Sequence, residues 1–117
     1  TVFCMESDSG TFTPDGLSFA GTTAALDLLQ DVADLLQPEL SIQVTPGGAG
    51  ADVDPLTQAG VPGAGLQTVG SSELYFNYHH TMADTIDHVD DGEFRDCVGT
   101  FAAVAYVIAD MQGTLPR

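Results

Sequence analysis

Three histidines stand between residues 70 and 89, in a long polar stretch whose side chains could bind a metal ion. His79 and His80 are adjacent, and Asp84 follows them. A histidine whose second ring nitrogen is held by a carboxylate is a common metal-ligand design. Because neighbouring side chains on a regular strand point in opposite directions, we expect one ligand from this pair, or else two surface residues. For His88, which precedes two aspartates, we expect a loop histidine paired with an acid.

Asp8 is a second candidate for metal chemistry. It follows the apolar run of residues 2–5, which has the pattern of a buried strand. Ligands of open α/β sheets bind at the carboxyl ends of strands, and a carboxylate there is a suitable ligand for Zn²⁺. The alternative is a turn-forming aspartate ahead of Ser9 and Gly10.

Two cysteines, Cys4 and Cys97, are far apart in the sequence and have no zinc-finger spacing. They could form one disulfide, which in the chain-entropy model stabilises the fold by ~4–5 kcal/mol. Two free buried thiols are the other interpretation. The sequence leaves both open.

The charge balance excludes several classes of partner. The chain has 17 acidic residues against two basic ones, a formal net charge of −15. Such a surface repels nucleic acids and anionic lipids and attracts cations. The longest apolar stretch, residues 101–109, is too short to span a bilayer. We therefore predict no nucleic-acid partner and no membrane span, and the scattered acids favour an extracellular, secreted protein.

Periodicity predicts the elements that hold these residues. Residues 23–37 repeat apolar side chains at helical spacing, and a capping box at Asp90 and Glu93 predicts the start of a last helix. Further predictions are strands at residues 2–5, 41–45 and 64–69, a short helix capped by Asp54 with Pro55 at its first position, and loops at residues 11–21 and 70–89. The alternation predicts an α/β fold, with a partial, mixed, mainly parallel sheet and flanking helices. Residues 1–117 are expected to form one incomplete domain.

Four segments, in order and at matching spacing, resemble the C-terminal portion of the carboxypeptidase Q family. They are residues 5–12 (MESDSGTF), 58–64 (QAGVPGA), 79–85 (HHTMADT) and the end of the chain at 109–111 (ADM) and 115–117 (LPR). The resemblance covers nearly the whole chain. It implies an aminopeptidase-like fold, a mixed sheet between helices, and two zinc ions at the strand ends.

The resemblance also implies roles for individual residues. Asp8 and His80 match two of the family's five metal ligands. His79 precedes the ligand histidine, where some relatives carry a side chain that stabilises an oxyanion, and this makes it the candidate catalytic residue. Asp84 matches an aspartate expected to fix the loop or the imidazole, and Asp52 an acid expected to shape the substrate pocket.

The other three ligands and the general-base glutamate have no counterpart in the chain, so we expect it to be inactive alone. One hypothesis is a piece of a two-zinc exopeptidase that acts on small peptides, with the upstream part of the peptidase as its partner. The alternative is a non-catalytic extracellular module derived from such a peptidase. An exposed strand edge and apolar helix faces would let that module pair with copies of itself, in oligomers or fibres.

Overall fold

A four-stranded mixed sheet forms the centre of the protein, and the computed structural model describes all 117 residues. The strands are β1 (Cys4–Glu6), β2 (Pro14–Ala20), β3 (Gln43–Pro46) and β4 (Gly63–Thr68). Their order is β1-β4-β2-β3. β1 runs parallel to β4 and β2 parallel to β3, whereas β2 and β4 are antiparallel. The predicted fold class, a mixed sheet with flanking helices, is confirmed.

Four α-helices and one 3₁₀ helix surround this sheet. They are α1 (Thr23–Leu35), α2 (Asp54–Gln58), α3 (Ser71–Tyr78), the 3₁₀ helix Ile86–His88, and α4 (Asp91–Asp110). No helix combines the length and the apolar character that a bilayer crossing requires. The predicted helices at residues 23–37, after residue 54 and after residue 90 are confirmed. Asp54, however, is the first residue of α2 and does not cap it.

The predicted loop at residues 11–21 is wrong, because this segment contains the central strand β2. Leu17 and Phe19 point into the core and are almost fully buried. The backbone of β3 lies very close to Gly16. A Cβ atom at residue 16 would be 2.7 Å from the carbonyl oxygen of Gln43. Proline and glycine obscured the pattern, since Pro14 starts the strand and Gly16 makes room for β3.

The predicted structureless loop at residues 70–89 is also wrong. Gly70 adopts a left-handed conformation (φ 72°), and its carbonyl oxygen accepts the first amides of α3. None of the eight residues of this helix is buried, and Phe76 is 68% exposed. A helix without a buried stripe has no apolar periodicity, which is why the sequence pattern did not reveal it.

The core lies between the sheet and two helices, α1 and α4. Ala25 and Leu29 of α1, Leu17 of β2 and Val104 of α4 are completely inaccessible to solvent. Apolar side chains packed between a sheet and amphipathic helices are the main stabilising element of an α/β domain.

Side-chain hydrogen bonds fix the start of both core helices. Thr22 Oγ1 accepts from the Ala25 amide at 3.3 Å, and Asp90 Oδ1 accepts from the Glu93 amide at 3.0 Å. The predicted capping box is only half formed. The Glu93 carboxylate instead accepts from the amide and hydroxyl of Thr13, at 3.1 and 2.7 Å, and so ties α4 to the segment before β2.

One side of α4 has no covering element. Val98 is 52% exposed, and Phe94 and Phe101 line an apolar depression together with Cys97. The depression has a volume of about 490 Å³ and reaches Ser7, beside the end of β1. β1 is an edge strand with one free side. Apolar side chains lie on more than one face of this helix, and this chain covers only one face.

Candidate functional site

A cavity of about 310 Å³ lies between the end of β1 and the segment from α3 to the 3₁₀ helix. Its lining joins residues that are distant in sequence. They are Asp8, Gly10, Thr11, Phe12, Tyr75, Tyr78, His79, His80, Asp84, Thr85, His88 and Val89. The structure thus brings together all three histidines and two of the three predicted site carboxylates. β1 positions Asp8, and the end of α3 positions the histidines.

The two adjacent histidines sit where α3 stops. The His79 amide donates to the Tyr75 carbonyl oxygen at 2.8 Å, closing the last helical turn. His80 then adopts a left-handed backbone conformation (φ 55°). The two imidazoles stack, with ring centroids 3.8 Å apart and an interplanar angle of 23°. The two side chains do not alternate as neighbours on a strand do, because the pair lies at the end of a helix. That one of the two is a metal ligand stays a prediction.

Tyr75 extends this stack by one ring. Its centroid lies 4.4 Å from that of His79, at an interplanar angle of 26°. Desolvation raises the pKa of the Tyr75 phenol, and the negative charges of Asp8 and Asp84 raise it further. The phenol therefore lies within the field of both carboxylates of the cavity. Sequence reasoning missed this residue, because the helix that places it one turn before His79 was not predicted.

A tight turn carries Asp84 into the cavity wall. The Asp84 amide donates to the Thr81 carbonyl oxygen at 3.2 Å, and the Thr81 hydroxyl donates to the Tyr78 carbonyl oxygen at 2.8 Å. The Ala83 amide in turn donates to Thr81 Oγ1 at 3.1 Å. The Asp84 carboxylate makes no hydrogen bond to either imidazole. Its place in the cavity comes from this local backbone geometry.

His88 lines the same cavity from the opposite end of the segment. Its ring packs on Tyr78, with centroids 4.7 Å apart and an interplanar angle of 34°. The expected acid partner is absent: the ion pair of this structure joins Arg95 to Asp91, at 2.6 Å. Aromatic packing and not charge pairing therefore holds His88 at the cavity.

Asp52 lies outside this cavity, in an exposed turn. The amides of Asp52 and Val53 donate to Glu6 Oε2 at 2.9 and 3.1 Å. Glu6 Oε1 is buried and has no hydrogen-bond partner. Glu6, two residues before Asp8, therefore anchors the turn to the end of β1, a role that sequence reasoning did not assign. A smaller cavity of about 250 Å³ is lined by both Glu6 and Asp8.

The site has the kinds of donor atom that bind zinc, but too few of them to hold a zinc ion. Carboxylate oxygen and imidazole nitrogen are its usual ligands beside thiolate, and structural and catalytic zinc sites use at least three protein ligands. Asp8 and His80 are both at the cavity. No group of three or more histidine, cysteine, aspartate or glutamate side chains in the structure is arranged to hold a metal ion. The chain's own residues therefore do not complete a zinc site.

Cys4 and Cys97 are both free and buried in the structure. Cys97 Sγ donates to the Phe12 carbonyl oxygen at 3.2 Å, and Cys4 Sγ lies 3.6 Å from the Pro62 carbonyl oxygen. Burial raises the pKa of both thiols, and the charges of Asp96 and Glu93 add to the effect at Cys97. Of the two interpretations of the cysteines, the structure has the free thiols and not the disulfide.

Comparison with known proteins relates this chain to peptidases. No family model matches the sequence. Human carboxypeptidase Q is 42% identical over 113 residues, which cover 97% of this chain and 24% of the human protein. The mouse protein has the same identity and coverage, and that of Xenopus laevis is 39% identical over the same length. The chain thus spans about a quarter of the length of these relatives.

A solved structure matches the fold closely. The crystal structure of a peptidase M28 precursor from Shewanella amazonensis SB2B superposes with a TM-score of 0.84 at 28% sequence identity. The match covers 98% of this chain and 26% of the bacterial one. Over nearly all of its length, the chain is therefore related to a segment of carboxypeptidase Q and has the fold of the corresponding part of a peptidase M28, as its motifs predicted.

Proposed function

We propose that this chain forms part of a two-zinc exopeptidase that hydrolyses small peptides. The observation that carries the proposal is the cavity at the end of β1, where Asp8, His79, His80 and Asp84 meet. These are four of the five residues to which the family resemblance assigns a role. The relation to carboxypeptidase Q supports the same class of reaction.

In this proposal Asp8 and His80 each contribute one metal ligand. Bound zinc supplies Lewis-acid chemistry to peptide hydrolysis. His79, stacked beside His80, presents its imidazole to the cavity as a hydrogen-bond donor for oxygen that gains negative charge. Asp84 keeps the cavity negatively charged, which favours a cation over an anion at this position. The remaining ligands and the general base come from residues outside this chain.

The partner we propose is the rest of a carboxypeptidase Q-like polypeptide. Three features support it: the relatives are about four times as long as this chain, β1 has a free edge, and α4 has an uncovered apolar depression. Phe94, Val98 and Phe101 lie where an added strand and helix would pack. Burying an aromatic or aliphatic side chain stabilises a contact by about 1.5–3 kcal/mol, so covering this face would be favourable.

Self-association is the second candidate, and the same uncovered face supports it. Copies of this chain could pair through β1 and the depression on α4, giving a non-catalytic oligomer or fibre. In either arrangement we propose an extracellular location. The net charge of −15 supports it only in that such a charge favours solubility in a salty medium.

The decisive experiment measures intact mass, oligomeric state and zinc content on one sample of the natural protein. A mass well above 12.2 kDa with about two zinc ions per assembly and activity on dipeptides supports the peptidase. A metal-free homo-oligomer of 12.2 kDa chains contradicts it and favours self-assembly.

Substitutions then assign the ligands. Asp8→Asn and His80→Gln should each lower the zinc content, while Asp31→Asn, on the exposed face of α1, should leave it unchanged. Equal zinc content in all three variants would remove Asp8 and His80 from the proposed metal site.

A further inference from the structure

The aromatic column of the cavity contains one residue that no comparison assigns. Tyr75, His79 and His80 form three consecutive stacked rings, with centroid separations of 4.4 and 3.8 Å. Both interplanar angles are small, at 26° and 23°. Phe76 closes the side of the column, edge-on to His79 with centroids 6.0 Å apart and an angle of 89°. His79 therefore has two stacked aromatic neighbours and a third at a right angle.

We propose that Tyr75 is a positioning residue that fixes the orientation of the His79 and His80 imidazoles at the cavity. That these orientations matter for metal binding rests on the proposed function. The ring geometry itself does not depend on it.

The reasoning starts from what else holds the two histidines. Neither imidazole makes a hydrogen bond within this chain, although metal-ligating histidines usually have an oxygen atom on the second ring nitrogen. The backbone is fixed by the His79 amide and by the left-handed turn at His80. A fixed backbone still leaves the χ angles of an exposed side chain free. Ring packing is then the one interaction in the chain that restricts these two imidazoles.

The position of Tyr75 suits this role. It lies four residues before His79 on α3, so both side chains project from one face of the helix. Stacked aromatic pairs are favourable beyond the surface that they bury, which favours one rotamer over the others. Because α3 buries no side chain in the core, substitutions at Tyr75 do not disturb the sheet.

The experiment uses NMR resonances of the histidine ring protons in the metal-free chain, in wild type, Tyr75→Leu and Tyr75→Phe. Loss of the ring in Tyr75→Leu removes its ring current from His79 directly, so the informative signals are those of His80, which stacks on His79 and not on Tyr75. The His80 signals should move if the column loses its orientation. Tyr75→Phe keeps the ring and should keep the wild-type shifts. Tyr106→Leu, on α4 and 71% exposed, is the matched control and should leave both signals in place.

Three results would overturn the proposal: unchanged His80 shifts in Tyr75→Leu, equal changes in the Phe and Leu variants, or equal changes in Tyr106→Leu. Circular dichroism of each variant checks that α3 persists. If α3 unravels in Tyr75→Leu, Tyr75→Met, which has high helix propensity and no ring, gives the same comparison.

A second readout separates this inference from the proposed function. In the complete protein, Tyr75→Leu should weaken zinc affinity about tenfold to a hundredfold, as the loss of supporting contacts around a ligand does, and Tyr75→Phe should restore it. Wild-type affinity in Tyr75→Leu would overturn the positioning role. If the wild-type protein binds no zinc, the proposed function fails while the ring-proton shifts still decide whether Tyr75 orients the histidines.

Discussion

The α1 side of the sheet and the segment from residue 70 to residue 89 differ in how much of their side-chain surface is buried. α1 buries four side chains, and Leu29 is completely inaccessible. α3 buries none, yet its end carries the two histidines of the candidate site. One region supplies stability and the other carries the residues of the candidate site. A rigid scaffold that displays reactive groups on a less buried segment is a common division in enzymes.

The forces that hold the two regions differ accordingly. Around α1 the stabilising term is burial of apolar surface, which is large and extends across the sheet. Between residues 70 and 89 it is local: short backbone hydrogen bonds, a threonine turn and ring stacks between neighbours. Local contacts restrict side-chain orientation without adding much to global stability. Substitutions in the two regions should therefore have separable effects.

The largest effect on stability is expected at Leu29. Leu29→Ala leaves a cavity between α1 and the sheet and should lower the free energy of unfolding by about 2–5 kcal/mol. Urea titration measures the change. Leu35→Ala, on the same helix but 69% exposed, is the control and should cost far less. Similar losses in both variants would show that helix propensity and not burial sets the stability of this region.

A smaller loss is expected at the start of α1. Thr22→Ala removes the acceptor for the Ala25 amide and should cost about 1 kcal/mol. Thr22→Ser keeps the oxygen atom and should restore most of the loss, measured by the same urea titration. If the serine variant is as unstable as the alanine variant, the hydroxyl is not what stabilises this helix.

The two buried cysteines should make the free energy of unfolding depend on pH. Burial raises both thiol pKa values above 9.0, so above that pH the unfolded chain releases protons that the folded chain retains. The free energy of unfolding should therefore fall as the pH rises past 9.0. Replacing both cysteines with alanine should flatten this fall, as measured by urea titration across alkaline pH. An unchanged slope would mean that other groups cause it.

The smallest effect on stability is expected in the site segment. Ile86 is 80% exposed, and Ile86→Ala should change the free energy of unfolding by less than about 0.5 kcal/mol. Thermal or urea unfolding of the natural protein is the measurement. A loss above ~1 kcal/mol would contradict the contrast between the two regions, because it would mean that Ile86 is buried against a partner in solution.

Much of the fold was predictable from the sequence, and so was part of the site. The pattern at residues 23–37 predicted α1, and the acids near residue 90 predicted the start of α4. The position of Asp8 after β1 and the grouping of histidines near residue 80 also followed from the sequence. The sequence did not predict the places of Tyr75 and Tyr78 at the site or the packing of His88. Ring stacking depends on side-chain rotamers, which have no sequence signature.

By itself the sequence determined what local interactions encode: amphipathic helices, their caps, and the order of motifs that relates the chain to carboxypeptidase Q. Only the tertiary structure decided that residues 14–20 form the central strand and that His79 and His80 stack side by side. The physical reason is how far apart in the sequence the interacting residues are. Helical hydrogen bonds join residues four apart, whereas β2 is defined by partners on β3 and β4, and the cavity by segments some 70 residues apart in the chain.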